Sequence, residues 1–350
     1  MSQTITRYDH DRESLAELLH EHPAYRVDQL WRGLYDDGLD VEAISTLPKG
    51  LRGDLATLLP AALENRVERI SEGGETHKWL WGLPDGDAVE TVLMHYTGRS
   101  TVCVSSQAGC AMDCGFCATG QEGFRRHLTT GEIVEQVIRA REAAKPRRLS
   151  NVVFMGMGEP LANYDATWGA VRRIHADLGL SARHITMSTV GLIPGIRRMA
   201  TEDLPISLAV SLHAATDELR NELVPINKRY PISDLADACQ EYVDASGRRL
   251  SFEWALIDGV NDTEDQAKAL ASLCKRLRAH VNLIPLNPTP GYPTIGTSSD
   301  GVKQFQRWLL DRNTNATIRR NRGTDIDAAC GQLRASQSSG EQSVAAPRRR

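Results

Sequence analysis

The spacing of apolar positions changes near residue 86. Before it, the stretches SLAELLHEH, VDQLWRGLYDDG and LPKGLRGDLATLLP place Leu, Trp and Tyr at helical spacing. Residues 1–85 are therefore expected to form a small N-terminal helical domain packed on something larger. From residue 86 the run AVETVLMHYTGRSTVCVSS predicts two strands joined at Gly98, a β-hairpin extension. It carries Glu90 on its first strand and Cys103 on its second.

Helical and strand patterns then alternate. LTTGEIVEQVIRAREAA opens with a capping box, Thr129 and Glu132, and predicts a helix. NVVFMG, HITMSTVG, ISLAVSLHA, LSFEWALIDG, VNLIPLNP and ATIRRNRG read as strands, with helical patterns between them. About six β-α units in succession mean an α/β domain with a parallel sheet and outer helices. No G-x-G-x-x-G follows the first strand, so the dinucleotide fold lacks its signature. A barrel or partial (β/α)6 barrel over residues 86–334 remains, and its ligands belong at the carboxyl ends of the strands. The tail, ASQSSGEQSVAAPRRR from 335 to 350, has no apolar period and is expected to be disordered.

Charge narrows the choice of partner. The 350-residue chain has a formal net charge of −4 at pH 7, so it carries no general basic field. Nucleic acid would have to be met by local patches such as FRRH (124–127), KPRR (145–148) or RRNR (319–322), the last just ahead of Cys330. The polar, acidic start predicts no signal peptide, and no long apolar run predicts a membrane span, so the expected location is cytoplasmic. In that compartment the seven cysteines are expected to be reduced or metal-bound rather than paired.

Three cysteines lie within eight residues, as Cys110-x3-Cys114-x2-Cys117, in a loop after the Cys103 strand. Thiolates this close repel each other unless a metal takes their charge. Structural zinc requires a fourth ligand, for which Cys103 is the candidate. A cubane iron–sulfur cluster held by three cysteines keeps one iron open, and an open position suits catalysis. Cys239 and Cys274, among apolar neighbours on helices, read as core.

The C-x3-C-x2-C spacing, with Phe116 before its third cysteine, resembles the hallmark of radical S-adenosylmethionine (SAM) enzymes. In order along the chain, VETVLMHY, VCVSSQAGCAMDCGFCATGQ, NVVFMGMGEPLANYD, ITMSTVG, SLHAATDELRNELVPINK, NLIPLNPTPG and RGTDIDAACGQL resemble the RlmN-type adenosine C2-methyltransferases of ribosomal and transfer RNA. The resemblance covers most of residues 20–334. It implies a partial barrel of the radical SAM type, one 4Fe-4S cluster on Cys110, Cys114 and Cys117, and two SAM molecules per turnover. It further implies that Cys330 carries the methyl group, Cys103 helps release the RNA adduct and Glu90 accepts a proton. Contacts to SAM are implied for Gly158, Glu159, Ser188, Ser211, Leu212, His213 and Asn287, all at predicted strand ends.

The partners implied are 23S rRNA, tRNA and a reductant such as flavodoxin or ferredoxin, with a monomer the expected state. The N-terminal region resembles the family's RNA-engaging domain. The sequence departs from the family pattern at His127, where Asn is common, and matches more loosely in that N-terminal region. Two alternatives stand beside this reading. Cfr-type methylation at carbon 8 uses the same cysteines, although RGTDIDAACGQL and the N-terminal region look more RlmN-like. A zinc-stabilised, non-catalytic RNA-binding module would use Cys103 as a metal ligand.

Overall fold

A computed structural model describes residues 4–287, 289, 292, 295–319, 322–328, 332 and 333. Cys330 and the tail from 335 lie outside the described residues.

Three helices open the chain: α1 (Arg12–Leu18), α2 (Tyr25–Tyr35) and α3 (Lys49–Leu58). The Asp11 side chain accepts from the Ser14 amide and the Ser14 hydroxyl caps the Asp11 amide in return, which starts α1. The apolar faces bury Leu15, Leu30, Leu34 and Leu55 in a core continuous with the rest of the molecule. Buried Arg7 pairs with Glu135 at 2.9 Å, and the other Glu135 oxygen accepts from the Ala62 amide, so the helices are tied to the barrel at both ends.

The helical reading of residues 1–85 holds only as far as Leu58. Beyond it β1 (Glu64–Ile70) and β2 (Thr76–Gly82) form an antiparallel hairpin. Six of the seven β1 residues face solvent, so ENRVERI has no apolar alternation to announce a strand. β2 pairs with β3 (Ala88–Tyr96), which turns at Gly98 (φ +77°) into β4 (Arg99–Cys103), as expected. The extension is thus a four-stranded meander.

A small insertion follows: β5 (Gln107–Gly109), α4 (Ala118–Gln121) and β6 (Phe124–His127), with β5 and β6 paired. Then come α5 (Thr130–Ala144), β7 (Leu149–Phe154), α6 (Tyr164–Ala176), β8 (Ile185–Thr189), α7 (Ile193–Met199) and β9 (Ser207–Ser211). The predicted capping box opens α5, with Thr129 and Glu132 in reciprocal hydrogen bonds. The chain continues through α8 (Asp217–Leu223), α9 (Ile232–Ser246), β10 (Ser251–Leu256), α10 (Glu264–Leu277), β11 (His280–Pro285), α11 (Ser299–Leu310) and β12 (Ala316–Ile318).

The main sheet runs β1-β2-β3-β4-β7-β8-β9-β10-β11-β12 and is parallel from β4 onward. Each step after β4 crosses through helix, which gives the expected six β-α units. Register assigns the two faces. One carries Leu93, Val102, Val152, Met187, Val210 and Trp254, all buried, and is the apolar face for the helices. The other joins Lys78, Glu90, Cys103, Ser188, Ser211, Glu253 and Asn282 into one polar inner face.

Candidate active site

A cavity opens at the carboxyl ends of β7 to β11, where the barrel rule puts ligands. It brings together Cys110, Cys114, Cys117, Gly158, Glu159 and Ser188 with Ser211, His213 and Asn287. Of the predicted SAM contacts only Leu212 points elsewhere. Its side chain is in the core, while its carbonyl accepts from Arg220 Nε at 3.1 Å.

The three cysteines sit on the loop between β5 and α4. Its ends are pinned by Cys110 N donating to Gly123 O at 2.9 Å and Cys117 N donating to Cys114 O at 3.0 Å. Phe116 packs inward, edge-on to His213 with centroids 4.8 Å apart, and its carbonyl accepts from Thr289 Oγ1. Burial pushes the Cys110 thiol up to about 12 and raises the Cys114 thiol well above the usual thiol range, and the neighbouring thiols add to both rises. Such groups ionise together only when a metal takes their charge. Among the described residues no three His, Cys, Asp or Glu side chains converge as ligands of a single metal ion. Cys103 is not among the residues lining this cavity. The donor set, three thiols facing a ligand cavity, fits a cluster with one open iron.

Opposite the thiols, GMGEP turns sharply after β7. Gly158 has φ +97°, and a Cβ there would meet Gln107 Cβ at 2.5 Å, so both backbone shape and space demand glycine. Glu159 is fully buried, and burial raises its carboxyl to about 7. Its oxygens accept from the amides of Leu161 (3.0 Å) and Val190 (2.9 Å), joining this turn to the end of β8. Gln107 accepts from the Glu159 amide at 2.7 Å and its amide nitrogen meets His127 Nδ1 at 3.0 Å. The unusual His127 therefore keeps a role in aligning the turn.

Ser188 and Ser211 stand 3.5 Å apart on adjacent strands. His213, at φ +58°, accepts the Ala255 amide on Nδ1 at 2.9 Å, and burial lowers its pKa to about 3, so the ring is neutral with its proton on Nε2. Two contributors were not singled out from sequence. Arg220 is wholly buried and donates to the carbonyls of Val190 (2.6 Å) and Leu212, locking the ends of β8 and β9 together. Glu253 lines the cavity beside Ser211 and accepts from Asn282 Nδ2 at 2.7 Å. Each looks like ordinary charge in a sequence, and only the fold turns them inward.

Glu90 and Cys103 lie off the cavity wall but on the same inner face, since Cys103 pairs with Val92, two residues on from Glu90. Glu90 Oε1 pairs with Lys78 Nζ at 2.9 Å. The described parts of the C-terminal segment cross that face. Arg322 pairs with Glu75 at 2.6 Å, Lys78 Nζ donates to Asp327 O at 3.0 Å and Thr119 Oγ1, on α4, donates to Leu333 O at 2.6 Å. Cys239 and Cys274 are buried in the core, as expected.

The three basic patches differ. In FRRH, Arg126 is held by Asp85 and Glu132, and Arg125 lies 3.7 Å from Asp87. In RRNR, Arg319 turns toward Glu253 at 4.0 Å and Arg322 toward Glu75, while residues 320 and 321 lie outside the described set. In KPRR, Arg147 and Arg148 are exposed and form no ion pair among the described residues.

A half-open parallel barrel with three thiols on the loop after β5 and a glycine–glutamate turn after β7 defines a radical SAM enzyme. The Radical SAM superfamily pattern matches residues 104–271. A radical SAM methyltransferase crystal structure from Sphaerobacter thermophilus superimposes with a TM-score of 0.93 at 49% identity, covering 95% of this chain and 100% of that one. Dual-specificity RNA methyltransferase RlmN 1 of Myxococcus xanthus is 48% identical over 344 residues, 94% of each chain. A probable dual-specificity RNA methyltransferase RlmN of Chloroflexus aurantiacus is 50% identical over 93% of this chain and 92% of its own. The chain belongs to the RlmN family of radical SAM RNA methyltransferases.

Proposed function

We propose that the chain methylates carbon 2 of adenosine in 23S rRNA and in tRNA, with Cys330 as methyl carrier and two SAM molecules used per turnover. One observation carries this reading. Lys78 holds Asp327 O and Thr119 holds Leu333 O, three residues to either side of Cys330. The segment is thereby tied to the Glu90 face on one side and to the cysteine loop on the other. Flanks anchored in these two places suit a methyl carrier that must serve both SAM and a base.

Cys110, Cys114 and Cys117 would hold a 4Fe-4S cluster, and Gly158, Glu159, Ser188, Ser211, His213 and Asn287, with the Leu212 backbone, would hold SAM. When bound, the cluster supplies the electron that cleaves SAM, the chemistry needed because carbon 2 of adenine is not nucleophilic. The chain supplies the rest. The Cys330 thiolate takes the methyl group, Glu90 accepts a proton while Lys78 holds it in place, and Cys103 on the same face helps release the adduct.

Flavodoxin or ferredoxin is the proposed reductant, with a cytoplasmic monomer the working form. Among the described residues no helix is long and apolar enough to cross a membrane.

Mass analysis of nucleosides from cells with and without the gene tests the reading. Loss of 2-methyladenosine from both 23S rRNA and tRNA is expected. Loss of 8-methyladenosine instead would assign the Cfr-type reaction, and unchanged nucleosides would overturn both.

A further inference from the structure

A second cleft, of about 740 Å³, lies at the amino ends of β4, β7 and β8, where Arg99, Leu149 and Ser181 with His184 form its walls. It is distinct from the SAM cavity at the carboxyl ends of the same sheet. Its cationic groups are Arg99, Arg147 and Arg148, with His95 and His184 also lining it, and its one acid is Glu75. That acid is already taken by Arg322 at 2.6 Å. Arg99, Arg147 and Arg148 are exposed and have no ion pair among the described residues. In a chain of net charge −4, this is a concentration of unneutralised positive charge.

The Tyr96 ring also lines the cleft. The guanidinium groups of Arg99 and Arg322 lie 4.8 and 4.4 Å from the Tyr96 ring centroid. Arg322 also begins the C-terminal segment that leads to Asp327 and Leu333. The cleft therefore adjoins the base of the segment that carries the methyl-bearing cysteine.

We propose that this cleft binds the phosphodiester backbone of the RNA substrate at nucleotides away from the target base. The exposed guanidinium groups of Arg99, Arg147 and Arg148, beside the Tyr96 ring and without acidic partners among the described residues, suit the successive phosphates and sugar edges of a nucleic-acid backbone. Strands of five and six residues separate the two ends of the sheet, roughly 15–20 Å. A folded RNA spans that distance, and a minimal oligonucleotide around the adenosine does not. This inference rests on RNA being the substrate.

The test compares wild type with Arg147→Gln/Arg148→Gln, and adds Tyr96→Ala. Binding of a full-length tRNA transcript is measured by anisotropy across a salt series. The double variant should bind more weakly, and its log–log salt slope should fall by roughly 1.5–2 for two lost phosphate contacts. Iron content and methylation of Cys330 by SAM should match wild type, as should turnover of a minimal oligonucleotide. Wild type that binds no RNA would overturn the RNA reading itself. Wild type that binds, beside a double variant of equal affinity and slope, would overturn the cleft assignment alone, whether or not that variant has lost reduction by flavodoxin.

Discussion

Lys78 and Glu90 form a buried ion pair at 2.9 Å, their side chains 8% and 6% exposed, and the same ammonium donates to Asp327 O at 3.0 Å. One cation thus fixes the proposed proton acceptor and one end of the Cys330 segment. Lys78→Met leaves a carboxylate buried without its cation and should cost about 3 kcal/mol in urea unfolding. RNA methylation should fall further than that stability loss explains, with partial recovery in Lys78→Arg. Wild-type turnover in Lys78→Met would show that the pair only braces the fold.

Replacing Cys110, Cys114 or Cys117 with Ala should remove the cluster and abolish SAM cleavage. Wild type reconstituted without oxygen should hold about four irons. Iron and sulfide assays with the visible spectrum decide this, and a triple-Ala variant that kept its full cluster would refute the ligand assignment.

Cys103→Ala should keep its iron, because its thiol does not line the cavity shared by the three ligands. Cys330 should still be methylated, as peptide mapping would register. The base should then remain attached, giving a ribonuclease-sensitive shift on a denaturing gel. Cys330→Ala should assemble the cluster, form no adduct and transfer no methyl group.

His213 is buried with its pKa lowered from 6.5 to about 3. The unfolded chain binds this proton more readily than the native state does, so the contribution is present above about 6.5 and is lost as pH falls toward 3. Between pH 7 and pH 5 the cluster-free protein should lose about 2 kcal/mol through this one ring. His213→Gln should remove that share of the slope. Parallel urea series at the two pH values check it, and identical slopes would mean that the ring takes up its proton as readily in the native state as in the unfolded chain.

Much of this was legible in the sequence because the signals were local. The Thr129 and Glu132 capping box is a four-residue pattern, and the six β-α units showed in the alternation of periods. The cysteine spacing and GMGEP were likewise readable, since loop chemistry is written in consecutive residues. What escaped was set by partners far along the chain. The β1 strand has no buried face to impose an alternation, and α8 is seven residues of charged sequence. Lys78, Arg220 and Glu253 become buried only because strands distant in sequence close around them. No composition rule reports that.

The outer margin of the sheet has its own consequence. β1 bonds to β2 on one side, and at its other side no strand pairs with it among the described residues. An open margin of that length is a template on which a second molecule could add a strand. Here it presents Glu64, Arg66, Glu68 and Arg69 to water, with a register irregularity between Asn65 and Val67. A newcomer would have to strip four ionic side chains of their hydration and match a kinked ladder. The same charged run that hid the strand from a reader of the sequence therefore guards the protein against lateral self-association and fibre growth, which matters most at the high local concentrations of a crowded cell.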